Sequence, residues 1–203
     1  MDRSARRPRR TGALGASIAI IAVVVAALAW LSLSGLLEPR DDGAPPAPVA
    51  QTPAPAVTGP PADAFAITVE HIIDGDTVKA SAQEPNPVMP DAEAVSVRLI
   101  GIDTPETYPD EECWGSEATE ALRDLAPEGS TLWAAPDTEW HDRYGRVLLY
   151  LWTPDGVFVN EQLIDAGAAE ALRVAPNDSY AELFAGAEAA ASTAGAGQWS
   201  ACS

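Results

Sequence analysis

The chain has 203 residues, 47% of them hydrophobic, which allows one packed domain with appendages and excludes disorder throughout. Two Cys and two His exclude a zinc-finger array and a disulfide-dense mini-protein. Twelve Lys and Arg against 30 Asp and Glu give a net charge of −18, unevenly placed: residues 1–62 carry six Arg and four acids, residues 63–203 six basic residues and 26 acids. A surface that acidic repels phosphates, so any nucleic-acid role has to answer that objection.

Residues 1–12 read as a basic tail with Arg3, Arg6, Arg7, Arg9 and Arg10, followed by an uncharged stretch over 13–37 whose centre, Ile18 to Leu31, is unbroken apolar sequence. As a helix, residues 13–37 would extend about 37 Å, enough to cross a hydrocarbon core of about 30 Å. Arginine-rich flanks stay cytoplasmic, which predicts a single-pass anchor with the remainder outside. A cleaved signal peptide is the competing reading and would make the protein secreted, although its apolar region is normally only about 7–15 residues. Residues 38–62 hold eight of the 18 prolines and read as a disordered, extended spacer.

The folded part is expected over 63–203. Phe65–Ile73 alternates apolar residues with a β-branched bias and reads as a strand. Asp74-Gly75 is a turn, and Thr77–Ala80 returns as a second strand. Ser81–Ala94 is a proline-rich hairpin loop, and Ala94–Ile102 a third strand. Ser116 is placed to cap a helix with apolar positions Ala118, Ala121, Leu122 and Leu125. Thr131–Ala135 and Val147–Trp152 read as strands, and Asp155-Gly156 as a turn into Val157–Val159. Asn160 is expected to cap a short helix ending at Gly167. Ser179-Tyr180-Ala181-Glu182 has the capping-box pattern opening a last helix to about Thr193. Five or so short strands with interspersed helices predict an α+β domain, a small β-barrel with helical additions.

Three clusters carry chemistry: the acidic turn Ile73-Asp74-Gly75-Asp76-Thr77-Val78, the strand end Arg98 to Glu106, and Asp142-Arg143-Tyr144-Gly145-Arg146. Asp76, Asp103 and Glu106 offer hard oxygen ligands suited to Ca²⁺ or Mg²⁺, and Pro105 leaves the Thr104 carbonyl free of helical use. Arg98 and Arg146 could clamp a phosphodiester and neutralise charge growing on its oxygens, while Glu106 could orient or deprotonate an attacking water. Alternation puts Arg98 and Asp103 on opposite faces of a regular strand, so they can share a site only if the strand end bends. Each cluster alone also has an ordinary reading. Asp-Gly is hairpin punctuation, Asp-Thr-Pro-Glu can open a helix, and Tyr-Gly-Arg can turn into a strand.

Taken in order, these clusters resemble the staphylococcal nuclease (thermonuclease) family from about Val69 to Cys202. Gly115-Ser116-Glu117-Ala118, Val159-Asn160 and Pro176-Asn177 add to the match. The resemblance implies an OB-type five-stranded barrel with about three α-helices. It implies Ca²⁺ held at Asp76, Asp103 and the Thr104 carbonyl. Arg98 and Arg146 would lie on the scissile phosphate, Tyr144 on a terminal phosphate with Arg143 beside it, and Glu106 would act on the attacking water as base or by ordering it. Family members cut the P–O5′ bond of DNA and RNA and leave 3′-phosphates. Two tyrosines that contact the nucleotide in the best-known member fall at Leu172 and Val174, so base stacking is lost there. The acidic domain departs too, and either a locally positive cleft or adaptation to high salt would account for it.

Cys113 and Cys202 lie outside the membrane in this reading, where oxidising surroundings favour a disulfide, the alternative being two unrelated buried thiols. His71 and His141 read as hydrogen-bonded surface or packing residues, His141 less securely because it adjoins the third cluster. Trp133, Trp140, Trp152 and Trp199 read as core or core-edge residues. The expectation is a monomeric, membrane-anchored, externally facing Ca²⁺-dependent nuclease acting on single-stranded DNA or RNA. The alternative is a non-catalytic OB-fold module that binds nucleic acid or a protein around a structural Ca²⁺.

Overall fold

The computed structural model describes residues 59–202. The basic tail, the anchor over 13–37 and most of the spacer over 38–62 lie outside the described residues. Among the described residues, no helix is long and apolar enough to cross a membrane.

Strands β1 (Phe65–Ile72), β2 (Thr77–Ala82), β3 (Val95–Leu99), β5 (Thr131–Ala135) and β6 (Val147–Trp152) close into a barrel in the order β1-β2-β3-β6-β5. All neighbours are antiparallel except β3 and β6, which run parallel. This is the five-stranded barrel that the motifs implied. Two-residue strands β4 (Ile102–Asp103) and β7 (Glu170–Ala171) pair beside it, Asp103 opposite Glu170.

Period-2 alternation explains the barrel's inside. Ile67 and Val69 of β1, Val78 and Ala80 of β2, Val97 and Leu99 of β3, and Leu149 and Leu151 of β6 are all buried. In β1 the alternation slips: the register shifts between Val69 and His71, so Ile72 enters the core while His71 faces out to Glu128 (Nδ1 to Oε1 2.7 Å).

Four helices complete the described domain: α1 (Gly115–Leu125), α2 (Val159–Asp165), α3 (Ala181–Ala194) and the short α4 (Gln198–Ala201). The predicted caps are the main corrections. Trp114, in the left-handed region at φ 75°, precedes α1, and Ser116 lies inside the helix donating to Glu111 (2.6 Å). Phe158 precedes α2, so Val157–Val159 is not a strand and Asn160 is a fully buried interior residue. Asn160 Oδ1 accepts the Leu151 N–H (3.0 Å), and its Nδ2 donates to the Ile100 carbonyl (2.8 Å). Ser179 caps nothing; its N–H and hydroxyl both donate to Asp137.

The expected hairpin loop joins antiparallel β2 and β3, and it folds onto the barrel rather than projecting. Asn86 accepts the N–H groups of Val88 and Met89, and both apolar side chains tuck into the core. Trp152 is buried and stacks on Phe158 (centroids 4.6 Å), with Tyr150, Tyr180 and Phe184 edge-on or tilted around the pair. Trp133 and Trp140 are exposed, where the sequence placed them in the core or at its edge, and Trp199 is half-buried.

Asp137 ties this aromatic group to the barrel. Its carboxylate accepts the buried Tyr150 hydroxyl (3.0 Å) and both donors of Ser179. Burial pushes its carboxyl up, but the hydrogen bonds from Ser179, Tyr150 and Thr138 outweigh that and hold it below the ordinary value of 3.8. The expected result for Asp137→Ala is a loss of about 2 kcal/mol after allowance for partial exposure, measured by chemical denaturation. Because the folded value is depressed, the difference from wild type should be complete above the ordinary carboxyl value. It should fade as pH falls through the lowered folded one.

Candidate active site

The site assembles where the barrel's regular strands end. β3 stops at Leu99, and Gly101 turns the chain with φ 81° before β4 begins. A side chain at Gly101 would be strained by that φ and would also place Cβ 2.5 Å from the Phe184 ring. This turn is the bend that the sequence required. It carries Asp103 round to Arg98, and Arg98 Nη2 donates to Asp103 Oδ1 at 2.7 Å.

Arg98 also ion-pairs with Asp76 through Nη1, although that nitrogen's hydrogens are not aimed along a hydrogen bond. Asp76 is buried. Its Oδ1 accepts the Thr77 hydroxyl, and its Oδ2 accepts both the N–H (3.1 Å) and the hydroxyl of Thr104. Burial pushes the Asp76 carboxyl well up; Arg98 counters this, Asp74 adds to the rise, and the Thr104 and Thr77 donors offset part of it. Glu106 is exposed at the start of the following loop. Desolvation and the charges of Asp74 and Asp103 hold its carboxyl above the ordinary value. Its backbone is clasped by Glu112: the Glu106 N–H donates to Glu112 Oε2 (3.0 Å), and the Glu112 N–H donates to the Glu106 carbonyl (2.8 Å).

Arg98 faces a second group across a groove of about 490 Å³ whose lining includes His141, Arg143, Tyr144, Arg146, Leu172 and Val174. The turn at 142–146 is organised by Asp142, whose Oδ1 accepts the N–H groups of Tyr144 and Arg146 while its Oδ2 takes Arg146 Nε (2.6 Å). Burial pushes the Asp142 carboxyl up, but the Arg146 and Tyr144 donors win and hold it below the ordinary value. Arg143 donates to the Tyr144 hydroxyl (2.5 Å), and both Arg143 and Arg146 lie over the Tyr144 ring, at 4.7 and 5.6 Å from its centroid. Arg98, Arg143 and Arg146 are three of the six basic residues of 63–203, so the acidic domain gathers half of its cations in this groove.

The predicted residues thus fall into two neighbouring sets joined by Arg98: Asp76, Asp103, Thr104 and Glu106 on one side, Arg143, Tyr144 and Arg146 on the other. Cys113 and Cys202 stand apart as a disulfide, Cα–Cα 5.9 Å, beside a hollow lined by Asp103, Glu112, Glu170 and Gln198. Leu172 and Val174 form an exposed apolar wall where the resemblance placed tyrosines. Sequence reading passed over Asp142, Glu112 and Asn177. Asn177 exchanges two 2.8 Å hydrogen bonds with the Glu139 backbone and so pins the groove's far wall. Asp142 and Asn177 were inside motifs already singled out; nothing marked Glu112.

A hard divalent cation fits the first set. Asp76 and Asp103 supply carboxylate oxygens and Thr104 a carbonyl, and neighbouring acids add negative charge to a site in which Arg98 pairs with both Asp76 and Asp103. Among the described residues no three His, Cys, Asp or Glu side chains form a closed cage, so water would have to complete the ligand shell.

A staphylococcal nuclease homologue family model matches residues 96–201. The chain is 31% identical over 122 residues to endonuclease YncB of Bacillus subtilis, covering 58% of this chain and 54% of that protein. It is 36% identical over 101 residues to an uncharacterized endonuclease of Escherichia coli, covering 50% and 57%. It is 35% identical over 120 residues to the thermonuclease of Staphylococcus intermedius, covering 57% and 65%. The chain spans about half the length of the first two and somewhat under two thirds of the third. With the barrel, the ordered motifs and the matching model in agreement, the chain belongs to the staphylococcal nuclease homologue family.

Proposed function

We propose that this protein is a Ca²⁺-dependent nuclease that hydrolyses phosphodiester bonds of single-stranded DNA or RNA to 3′-phosphate products. The carrying observation is that Arg98 joins a carboxylate cluster containing Glu106 to a groove holding two further arginines, in a domain otherwise short of cations.

The backbone phosphate binds between Arg98 and Arg146, whose guanidiniums donate to its oxygens and stabilise the charge that grows there during attack. Glu106 accepts a proton from the attacking water. Desolvation and the charges of Asp74 and Asp103 raise its carboxyl above the ordinary value, which makes it a stronger base than an ordinary glutamate. Tyr144 and Arg143 hold a neighbouring phosphate, and the Leu172–Val174 wall takes the sugar or base face without aromatic stacking. Asp76, Asp103 and the Thr104 carbonyl would hold Ca²⁺, which supplies Lewis-acid neutralisation when bound. Every residue with a role belongs to one chain, so a monomer suffices. The arginine-rich tail and apolar stretch support a membrane anchor with the domain outside the cell, and the disulfide suits that oxidising side.

The test is cleavage of fluorogenic single-stranded DNA and RNA by the full chain with Ca²⁺, Mg²⁺ or chelator, from low to molar salt. Cleavage should need Ca²⁺ and should fall about a thousandfold in Glu106→Gln, which keeps the native circular dichroism because Glu106 is exposed. Cleavage undiminished in that variant would remove Glu106 from the chemistry. A folded protein that cleaves nothing at any salt would favour the binding module.

A further inference from the structure

We propose that Glu112 is a positioning residue for Glu106, and that the Cys113–Cys202 bridge holds Glu112 in that role. The inference rests on the reading of Glu106 as the residue that acts on the attacking water.

Glu106 is exposed, follows the last residue of β4 by only three positions, and belongs to no helix or strand. A side chain so placed reaches a reproducible position only if its backbone is held. The holding group is Glu112: its carboxylate accepts the Glu106 N–H, and its own N–H donates to the Glu106 carbonyl, so both backbone groups of Glu106 are engaged by one residue. The loop closes tightly around this pair. Gly115 packs so near that a Cβ there would stand 2.6 Å from the Glu106 carbonyl oxygen.

Glu112 is itself exposed and needs an anchor, which the next residue provides. Cys113 is bonded to Cys202, just past α4, whose N–H donates to the carbonyl of Gln198, the helix's first residue (2.9 Å). The Gln198 N–H in turn donates to the Gly167 carbonyl (3.0 Å), just past α2. Asn160 of α2 then bonds both Leu151 of the barrel and Ile100 beside the site turn. A continuous run of covalent and hydrogen bonds therefore leads from the Glu106 backbone to the barrel, and Glu112 and the disulfide are its two exposed links. A misplacement of about 1 Å in a reacting group can cost on the order of a hundredfold in rate, so such links matter for turnover without touching the substrate.

The experiment compares the full oxidised chain with Glu112→Ala, Glu112→Gln and Glu106→Gln, on a single-stranded DNA oligonucleotide with Ca²⁺. Amide exchange across residues 103–115 is followed in parallel without metal. Glu112→Ala is expected to lower kcat about tenfold with KM within about twofold, and to speed exchange at Glu106. Glu112→Gln keeps a carbonyl oxygen that can accept the same N–H, and should restore most of both. Reduction of the wild type by dithiothreitol should move kcat and exchange in the same direction as Glu112→Ala. Should Glu112→Ala fail to fold by circular dichroism, Glu112→Ser takes its place. Wild-type kcat and exchange in Glu112→Ala, beside an inactive Glu106→Gln, would overturn the positioning role alone. Equal losses in the Ala and Gln variants would also overturn it, by assigning the effect to charge. Full activity in Glu106→Gln would overturn the underlying reading and this inference with it.

Discussion

Arg98→Ala is expected to lose turnover by about a thousandfold and, unlike Arg146→Ala, to lose stability as well. The two arginines face the same groove but stand in different company. Arg146 pairs with Asp142, whose carboxylate also accepts two backbone N–H groups and reaches water, so it stays satisfied when the guanidinium goes. Arg98 is 13% exposed and is the cation against Asp76, a carboxylate 8% exposed. Removing one partner of such a pair costs about 3–5 kcal/mol, limited here by the ease with which Asp76, already pushed up by burial, takes a proton instead. The gap between Arg98→Ala and wild type should therefore narrow on acidification, because a protonated Asp76 no longer needs the guanidinium. Denaturation midpoints across pH, beside steady-state cleavage, separate the two effects. Arg98→Ala combined with Asp76→Asn should recover stability and no turnover. A wild-type midpoint for Arg98→Ala at neutral pH would show that the pair does not carry the fold.

The second large effect is on stability. The Cys113–Cys202 bridge spans a sequence separation of 89. Opening a loop of that length releases about 4–5 kcal/mol of unfolded-state entropy at 25 °C. Cys202→Ser should lower the melting temperature by on the order of 10–15 °C, at roughly 3 °C per kcal/mol for a domain of this size. Wild type under reductant should fall to the same temperature, while Cys202→Ser should not respond to reductant. A shift of only a degree or two would mean that the unlinked chain ends already stay together in the unfolded state.

The barrel was legible because its strands alternate: Ile67 and Val69, Val78 and Ala80, Leu149 and Leu151 declare one buried face. Its helices were legible as helices and misread at their ends. Ser116 and Ser179 look like caps, but their hydroxyls are drawn off by Glu111 and Asp137, partners that only the tertiary fold brings near. Asn160 looked like a third cap and is a buried splice between α2 and two strands. Such a role depends on a residue 60 positions away, and no local pattern encodes it. Trp133 and Trp140 were read as core or core-edge residues; Trp133 takes the outward position of β5 between buried Leu132 and Ala134, and Trp140 lies in an exposed loop. For the candidate site, residue types and order singled out Arg98, Asp103, Glu106 and Arg146. The need for a bend between Arg98 and Asp103 was deducible from strand periodicity, and Gly101 is where it falls.

The Asn160 splice bears on how this molecule can change. Ile100 is tethered through both backbone groups, its N–H to the Leu149 carbonyl and its carbonyl to Asn160, so the floor on which Arg98 and Asp103 meet is set during folding from within the protein. The groove's far wall is joined to that floor by backbone alone: the Leu172 N–H donates to the Gly101 carbonyl (2.9 Å), β7 pairs with β4, and Asn177 holds the following turn against Glu139. Changes of side chain at Leu172 and Val174 leave these backbone bonds in place. The surface that a ligand meets on that side can therefore change while Arg98 and Asp103 stay where the floor puts them.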